Sequence, residues 1–201
     1  MHSSKVISVL VCGFILAARA VYAKETEPTS RTHEVRALES IECLSGFGMA
    51  KLRKVGTYHI VPLYVDFNFD LKEIPFVERL NYAGPLQWGI EPFVSYAFDP
   101  KRNYEYGANI VVKAGILPEG SKVQPYAKLS LGGIYFTQDN RDQGSSLNFN
   151  EYAGLGVNYF FQKDTALTLE YRYRHISNLD IKEPNKGINT NLFLAGVVKE
   201  F

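Results

Sequence analysis

Apolar and polar side chains alternate with a period of two along most of the chain after residue 57, and successive side chains of a strand point to opposite faces. In Thr165 to Asn178, one face carries Leu167, Leu169, Tyr171, Tyr173, His175 and Ser177, and the other Thr168, Glu170, Arg172 and Arg174. Leu147 to Phe161 sets Leu147, Phe149, Ala153, Leu155, Val157, Tyr159 and Phe161 against Asn148, Asn150, Gly154, Gly156 and Asn158. Tyr58 to Asp70 repeats the pattern, with Asp66 and Asn68 on the more polar side, and so does the stretch around Trp88 to Phe98. Tyr104 to Gly115, Lys122 to Gln138, Asn189 to Phe201 and a segment within His33 to Arg53 complete eight predicted strands. Asp99 to Asn103, Leu117 to Gly120 and Gln162 to Asp164 have turn composition. Leu71 to Gly84 is a charged connection, while Asp139 to Ser146 and Asn178 to Ile188 are polar loops.

Alternation alone does not say which face is inside. The start of the chain does. Lys5, an apolar run from Val6 to Ala18 and the small residues of Val21-Tyr22-Ala23 form a secretory signal, cut after Ala23 or, given Arg19, after Ala20. In an exported chain with no helical membrane span, rich in Tyr and Phe at 13 each, the alternation fits strands that turn apolar residues to lipid and charges to a lumen. The closing strand also ends on an aromatic, Phe201, as bacterial outer-membrane barrels usually do. The predicted fold is all-β: an eight-stranded antiparallel transmembrane β-barrel over residues 34–201, preceded by a signal peptide (1–23) and a polar lead (24–33). A soluble lipocalin-like barrel is the structural alternative. Pro62, Pro92 and Pro125 resist either closed form, because a closed sheet has no edge on which to place a missing donor; bulges, rims or misplaced spans are the expected resolutions.

Removing the signal leaves 20 basic and 21 acidic residues, which gives no electrostatic reason to bind nucleic acid. Cys43 is then the single cysteine, so no intramolecular disulfide forms, and a half-buried apolar role is expected for it. The four histidines are scattered at 2, 33, 59 and 175, no nucleotide motif occurs, and no metal or cofactor is expected.

The polar break in the greasy face of Thr165 to Asn178 is His175-Ile176-Ser177-Asn178, a base and a hydroxyl on the side turned to lipid. This run, followed by Ile181-Lys182-Glu183-Pro184-Asn185-Lys186-Gly187-Ile188-Asn189, resembles the signature of the lipid A 3-O-deacylase (PagL) family, and Gly144 to Phe149 with Gly154 and Gly156 resembles it as well. The resemblance implies an outer-membrane barrel that hydrolyses the 3-O-linked ester of lipid A in lipopolysaccharide, without a cofactor, after insertion by the barrel assembly machinery; monomer or homodimer stays open. It implies Ser177 as nucleophile, His175 as its base, Asn178 in the oxyanion hole, Asn185 in support and Gly187 in the turn. Two positions depart from the pattern. Asn189 stands where the family has Glu, and Leu179-Asp180 where Ala-Gly is expected.

An amide can orient an imidazole but supplies no negative charge. One expectation is that Asn189 suffices at reduced rate. The other is that Glu151 supplies the charge: a hairpin centred on Lys163 places 151 opposite 175, with Cβ atoms about 5 Å apart. Tyr171 and Tyr173 read as an aromatic girdle, and Glu170, Arg172 and Arg174 as a lumen network. Lys182 and Lys186 are candidates for a lipid A phosphate, against the simpler reading of solvated loop charge. Two further functions compete with the esterase: a non-catalytic structural or lipid-binding barrel that lost the acidic triad member, which Asn189 favours, and a small adhesin-like barrel, which the short loops disfavour.

Overall fold

The computed structural model describes residues 38–53, 56–137 and 142–201, so the expected signal peptide and polar lead lie outside the described residues. Eight strands follow one another, β1 (Ser40–Leu52), β2 (Gly56–Asp70), β3 (Leu86–Asp99), β4 (Asn103–Gly115), β5 (Val123–Phe136), β6 (Leu147–Gln162), β7 (Thr165–Ser177) and β8 (Ile188–Glu200). Each pairs antiparallel with the next, and β8 closes on β1 from Ser40↔Glu200 to Ala50↔Thr190. A one-turn helix, α1 (Pro75–Glu78), lies in the connection after β2. The spans lie within two residues of those that alternation predicts, with β1 inside its wider window.

The faces are inverted relative to a soluble protein. Ile110, Leu155 and Leu169 are 63–64% exposed on the outer wall, whereas Arg172 and Arg174 are wholly buried inside. A belt of bare Leu, Ile, Val and Phe around the whole barrel is stable only where the surrounding solvent is itself apolar. Closure leaves no unpaired edge, as a hydrocarbon environment demands.

The lumen is filled with paired charge. Lys128 Nζ lies 2.6 Å from Asp66 Oδ2, 3.0 Å from Glu42 Oε2 and 3.1 Å from Glu170 Oε2, and Lys113 Nζ shares Glu42 at 3.0 Å. Arg172 forms an ion pair with Glu91 at 2.7 Å and donates to Glu170, with its guanidinium sandwiched between the rings of Tyr64 and Tyr152 at 4.3 and 4.2 Å. Arg174 donates to Glu105 at 3.1 Å. Among the described residues Arg174 and Glu105 have no other ion partner, so removing either leaves a buried charge without compensation, which costs about 3–5 kcal/mol. Below this plug a cavity of about 620 Å³ opens at the rim that carries the ends of the barrel, lined in part by Glu39, Gln87, Lys122 and Glu200.

Two of the sequence expectations are corrected here. Pro62 and Pro92 sit in mid-strand, not at bulges or rims; the ladders skip them instead. Pairing of β1 with β2 jumps from Ser45↔Leu63 to Gly48↔Ile60, and that of β2 with β3 from Tyr64↔Phe93 to Phe67↔Ile90, with the register unchanged across each gap. Ser45 Oγ donates to the Pro62 carbonyl at 2.8 Å across the first opening. Only Pro125 lies near a rim, two residues into β5. Cys43 is exposed on the outer wall rather than half-buried, because odd-numbered positions of β1 point outward.

Candidate active site

Strands β7 and β8 carry the polar break to the rim opposite the barrel ends. His175 faces Asn189 across the β7–β8 ladder, and Asn189 Oδ1 accepts from His175 Nδ1 at 2.5 Å. An amide oxygen can only accept, so Nδ1 carries a proton, and in the neutral imidazole this leaves the lone pair on Nε2. On the other side β6 places Glu151 directly opposite His175, the register expected from the Lys163 hairpin. Glu151, His175, Asn189 and Ser177 all point outward, away from the buried Arg174 and Ile176. Among the described residues, Glu151 makes no hydrogen bond to the imidazole, and Ser177 Oγ makes none at all.

The imidazole lies against the first residue beyond the β7–β8 ladder, Gly187. One step beyond the Ile176↔Ile188 pair, Gly187 lies across from Ser177. A Cβ built on Gly187 would stand 2.8 Å from His175 Cε1, 3.6 Å from Nε2 and 3.8 Å from Nδ1, so the ring lies against this glycine. The φ of Gly187, +66°, independently favours glycine.

The loop between β7 and β8 is built on asparagines. Asn178 is buried; its backbone N–H donates to Asn185 Oδ1 at 3.1 Å and its Nδ2 to the Lys182 carbonyl at 2.6 Å. Asn185 Nδ2 in turn donates to Asp180 Oδ1 at 2.9 Å. Leu179 and Asp180 stand where Ala-Gly is expected, yet both hold left-handed backbone, at φ +53° and +62°. Asp tolerates that region, but Leu does so under strain. The support comes from the β5–β6 loop. Gln143 bridges to Asn185 and donates through Nε2 to the Ile176 carbonyl at 3.3 Å; Gly144 N donates to the Pro184 carbonyl at 2.6 Å and Lys186 N to the Asp142 carbonyl at 2.9 Å. Gly144 permits this contact, since a Cβ there would lie 2.3 Å from the Glu183 carbonyl oxygen. The Asn178 backbone N–H and one of its two amide protons are therefore committed, and its side chain has at most the second amide proton to offer an oxyanion. Gln143 and Asp180 escaped sequence reasoning because their partners are set by how two loops dock. Among the described residues no cluster of His, Cys, Asp and Glu could hold a metal.

The sequence matches the family model of the lipid A 3-O-deacylases over residues 54–198, most of the barrel and all of this site. The chain belongs to the PagL family. The crystal structure of the outer membrane enzyme PagL superimposes with a TM-score of 0.54 at 17% identity, covering 77% of this chain and 97% of that one. Neisserial surface protein A (NspA) superimposes with a TM-score of 0.60 at 16% identity over 81% of this chain and 96% of that one. At such identities the likeness concerns the barrel alone. No curated protein matches the sequence. Membership and architecture together make this an integral barrel of the bacterial outer membrane, whose bare apolar belt faces lipid.

Proposed function

We propose that this PagL-family barrel hydrolyses the 3-O-linked ester of lipid A in the outer leaflet, with Ser177 as nucleophile and His175 as base. The observation that carries the reading is the His175–Asn189 hydrogen bond on the lipid-facing wall, which supports the tautomer a base needs and leaves Nε2 without a partner among the described residues. The rim bearing these residues faces the cell exterior, with the barrel ends in the periplasm, so both groups sit level with lipid A ester linkages. Nε2 takes the Ser177 proton as Oγ attacks the ester carbonyl, and returns it to the departing 3-oxygen of the glucosamine. Water then attacks the acyl-serine by the same route and releases a 3-hydroxy fatty acid. Asn189 orients the ring throughout, and Glu151, one strand away, supplies the negative charge that the amide lacks. In a free enzyme the serine–imidazole bond tightens only when substrate arrives, which suits the unengaged Ser177.

A second reading, a non-catalytic lipid-binding barrel, is favoured by the uncharged Asn189 and by the engaged Asn178 donors. Purified wild type and the Ser177→Ala and His175→Ala variants, incubated with lipid A in detergent micelles, separate the two. Release of 3-hydroxy fatty acid by wild type, reduced at least about a thousandfold in both variants, supports the esterase. No release from any of them, with all three folded, supports the second reading.

A further inference from the structure

Six strand positions carry Lys or Arg: Lys51, Lys113, Lys128, Arg172, Arg174 and Lys199. Four point into the lumen and each meets a carboxylate there. Two point outward. Lys199, at the rim with the barrel ends, lies 2.7 Å from Asp164 Oδ2. Lys51, at the opposite rim, meets no carboxylate among the described residues.

That exception lies beside the candidate site. The β1–β8 ladder reaches Ala50↔Thr190, so the next step sets Lys51 next to Asn189. Across the outer wall the order at this level is Glu151, His175, Asn189, Lys51 and then Thr57 on β2. An acid and a base thus flank the His–Asn pair, one strand away on either side. Strands are about 4.8 Å apart, which puts Lys51 roughly 10 Å along the wall from His175. A phosphorylated sugar bridges such a gap. An ammonium on a lipid-facing wall needs a counter-ion; among the described residues none pairs with Lys51, Asp99 beyond Thr57 being engaged by Thr57 and His59, and the anions available at the outer interface belong to lipid headgroups. Lys51 and Thr57 are both exposed on the outer wall at this level.

We propose that Lys51 binds a phosphate of the lipid substrate and so sets the headgroup in register with Ser177, a specificity residue that rests on the deacylase reading. Phosphate thus marks the substrate's orientation on the wall, while Glu151 on the far side repels it and prevents the reversed pose.

The test uses the full chain folded in detergent micelles, with lipid A carrying its phosphates and with lipid A stripped of them by phosphatase. Lys51→Gln is expected to raise KM for the phosphorylated lipid about fivefold, the effect of one basic side chain on an anionic lipid. It leaves kcat, and both constants for the stripped lipid, as in wild type, and Lys51→Arg behaves as wild type. Binding to immobilised Ser177→Ala barrel gives the same comparison without turnover. The proposal is overturned if Lys51→Gln binds phosphorylated lipid A as well as its parent does, or weakens for both lipids equally. If wild type releases no acid but Lys51 still governs phosphate-dependent binding in the Ser177→Ala barrel, the deacylase reading falls and the anion site stands.

Discussion

Asn189 holds His175 from the neighbouring strand, its amide oxygen 2.5 Å from Nδ1, at the position where the PagL signature has an acid. The amide keeps the orienting hydrogen bond but carries no negative charge, which on the proposed reading Glu151 provides from β6. On that reading an imidazolium is stabilised less by a carboxylate one strand away than by one hydrogen-bonded to Nδ1.

Restoring the acid tests this directly. Asn189→Glu is expected to raise kcat for ester release about tenfold, while Asn189→Ala, which deletes a hydrogen bond worth about 1 kcal/mol, lowers it several-fold to tenfold. Steady-state release of 3-hydroxy fatty acid checks both. An unchanged rate in Asn189→Glu would mean that charge at this position does not limit turnover.

Glu151 enters as the partner of that experiment. If it supplies the missing charge from β6, Glu151→Gln slows the wild type about fivefold but has little effect in the Asn189→Glu background, because the two acids serve one imidazole and neighbouring sites are not additive. Equal effects in both backgrounds, read from kcat in the four-variant cycle, would assign Glu151 a role away from His175.

Gly187 carries two constraints at once, a left-handed φ and the imidazole against its Cα. Gly187→Ala is expected to displace the ring and cut kcat about a hundredfold, the scale of a roughly 1 Å misplacement in an active site. The barrel remains folded, as heat-modifiable migration on an SDS gel reports. Wild-type activity in this variant would mean that the ring is free to sit elsewhere.

At the other rim, burial and the nearby Asp70, Glu200 and Glu119 push the Glu39 carboxyl up to about 7, against a hydrogen bond from Gln87. A raised acid favours the folded state below its unfolded value near 4.5, and that contribution is lost as pH climbs to about 7. The midpoint of denaturant unfolding should therefore fall between pH 4.5 and 7 in wild type and stay flatter in Glu39→Gln. Identical pH profiles would place the titration on other groups.

Much of this molecule is legible in its sequence because period-two alternation is a local property. It sets the parity of His175, Ser177 and Asn189, and a hairpin as tight as Lys163-Asp164 propagates it to Glu151. Legibility stops where distant segments meet. The neighbourhood of Lys51 and Asn189 depends on how the sheet closes, and 138 residues of chain separate them. The engaged donors of Asn178 depend on two loops docking. The prolines failed for another reason: a ladder can open for two residues without losing register, so Pro62 and Pro92 need neither a bulge nor a rim.

The most direct measurement is mass spectrometry of lipid A from cells expressing the wild type or Ser177→Ala, each shown to be folded in the outer membrane. The wild type is predicted to yield lipid A lighter by one 3-hydroxyacyl chain, with the ester at the 3-position gone, and Ser177→Ala to leave it intact. Identical lipid A from the two strains would contradict the account.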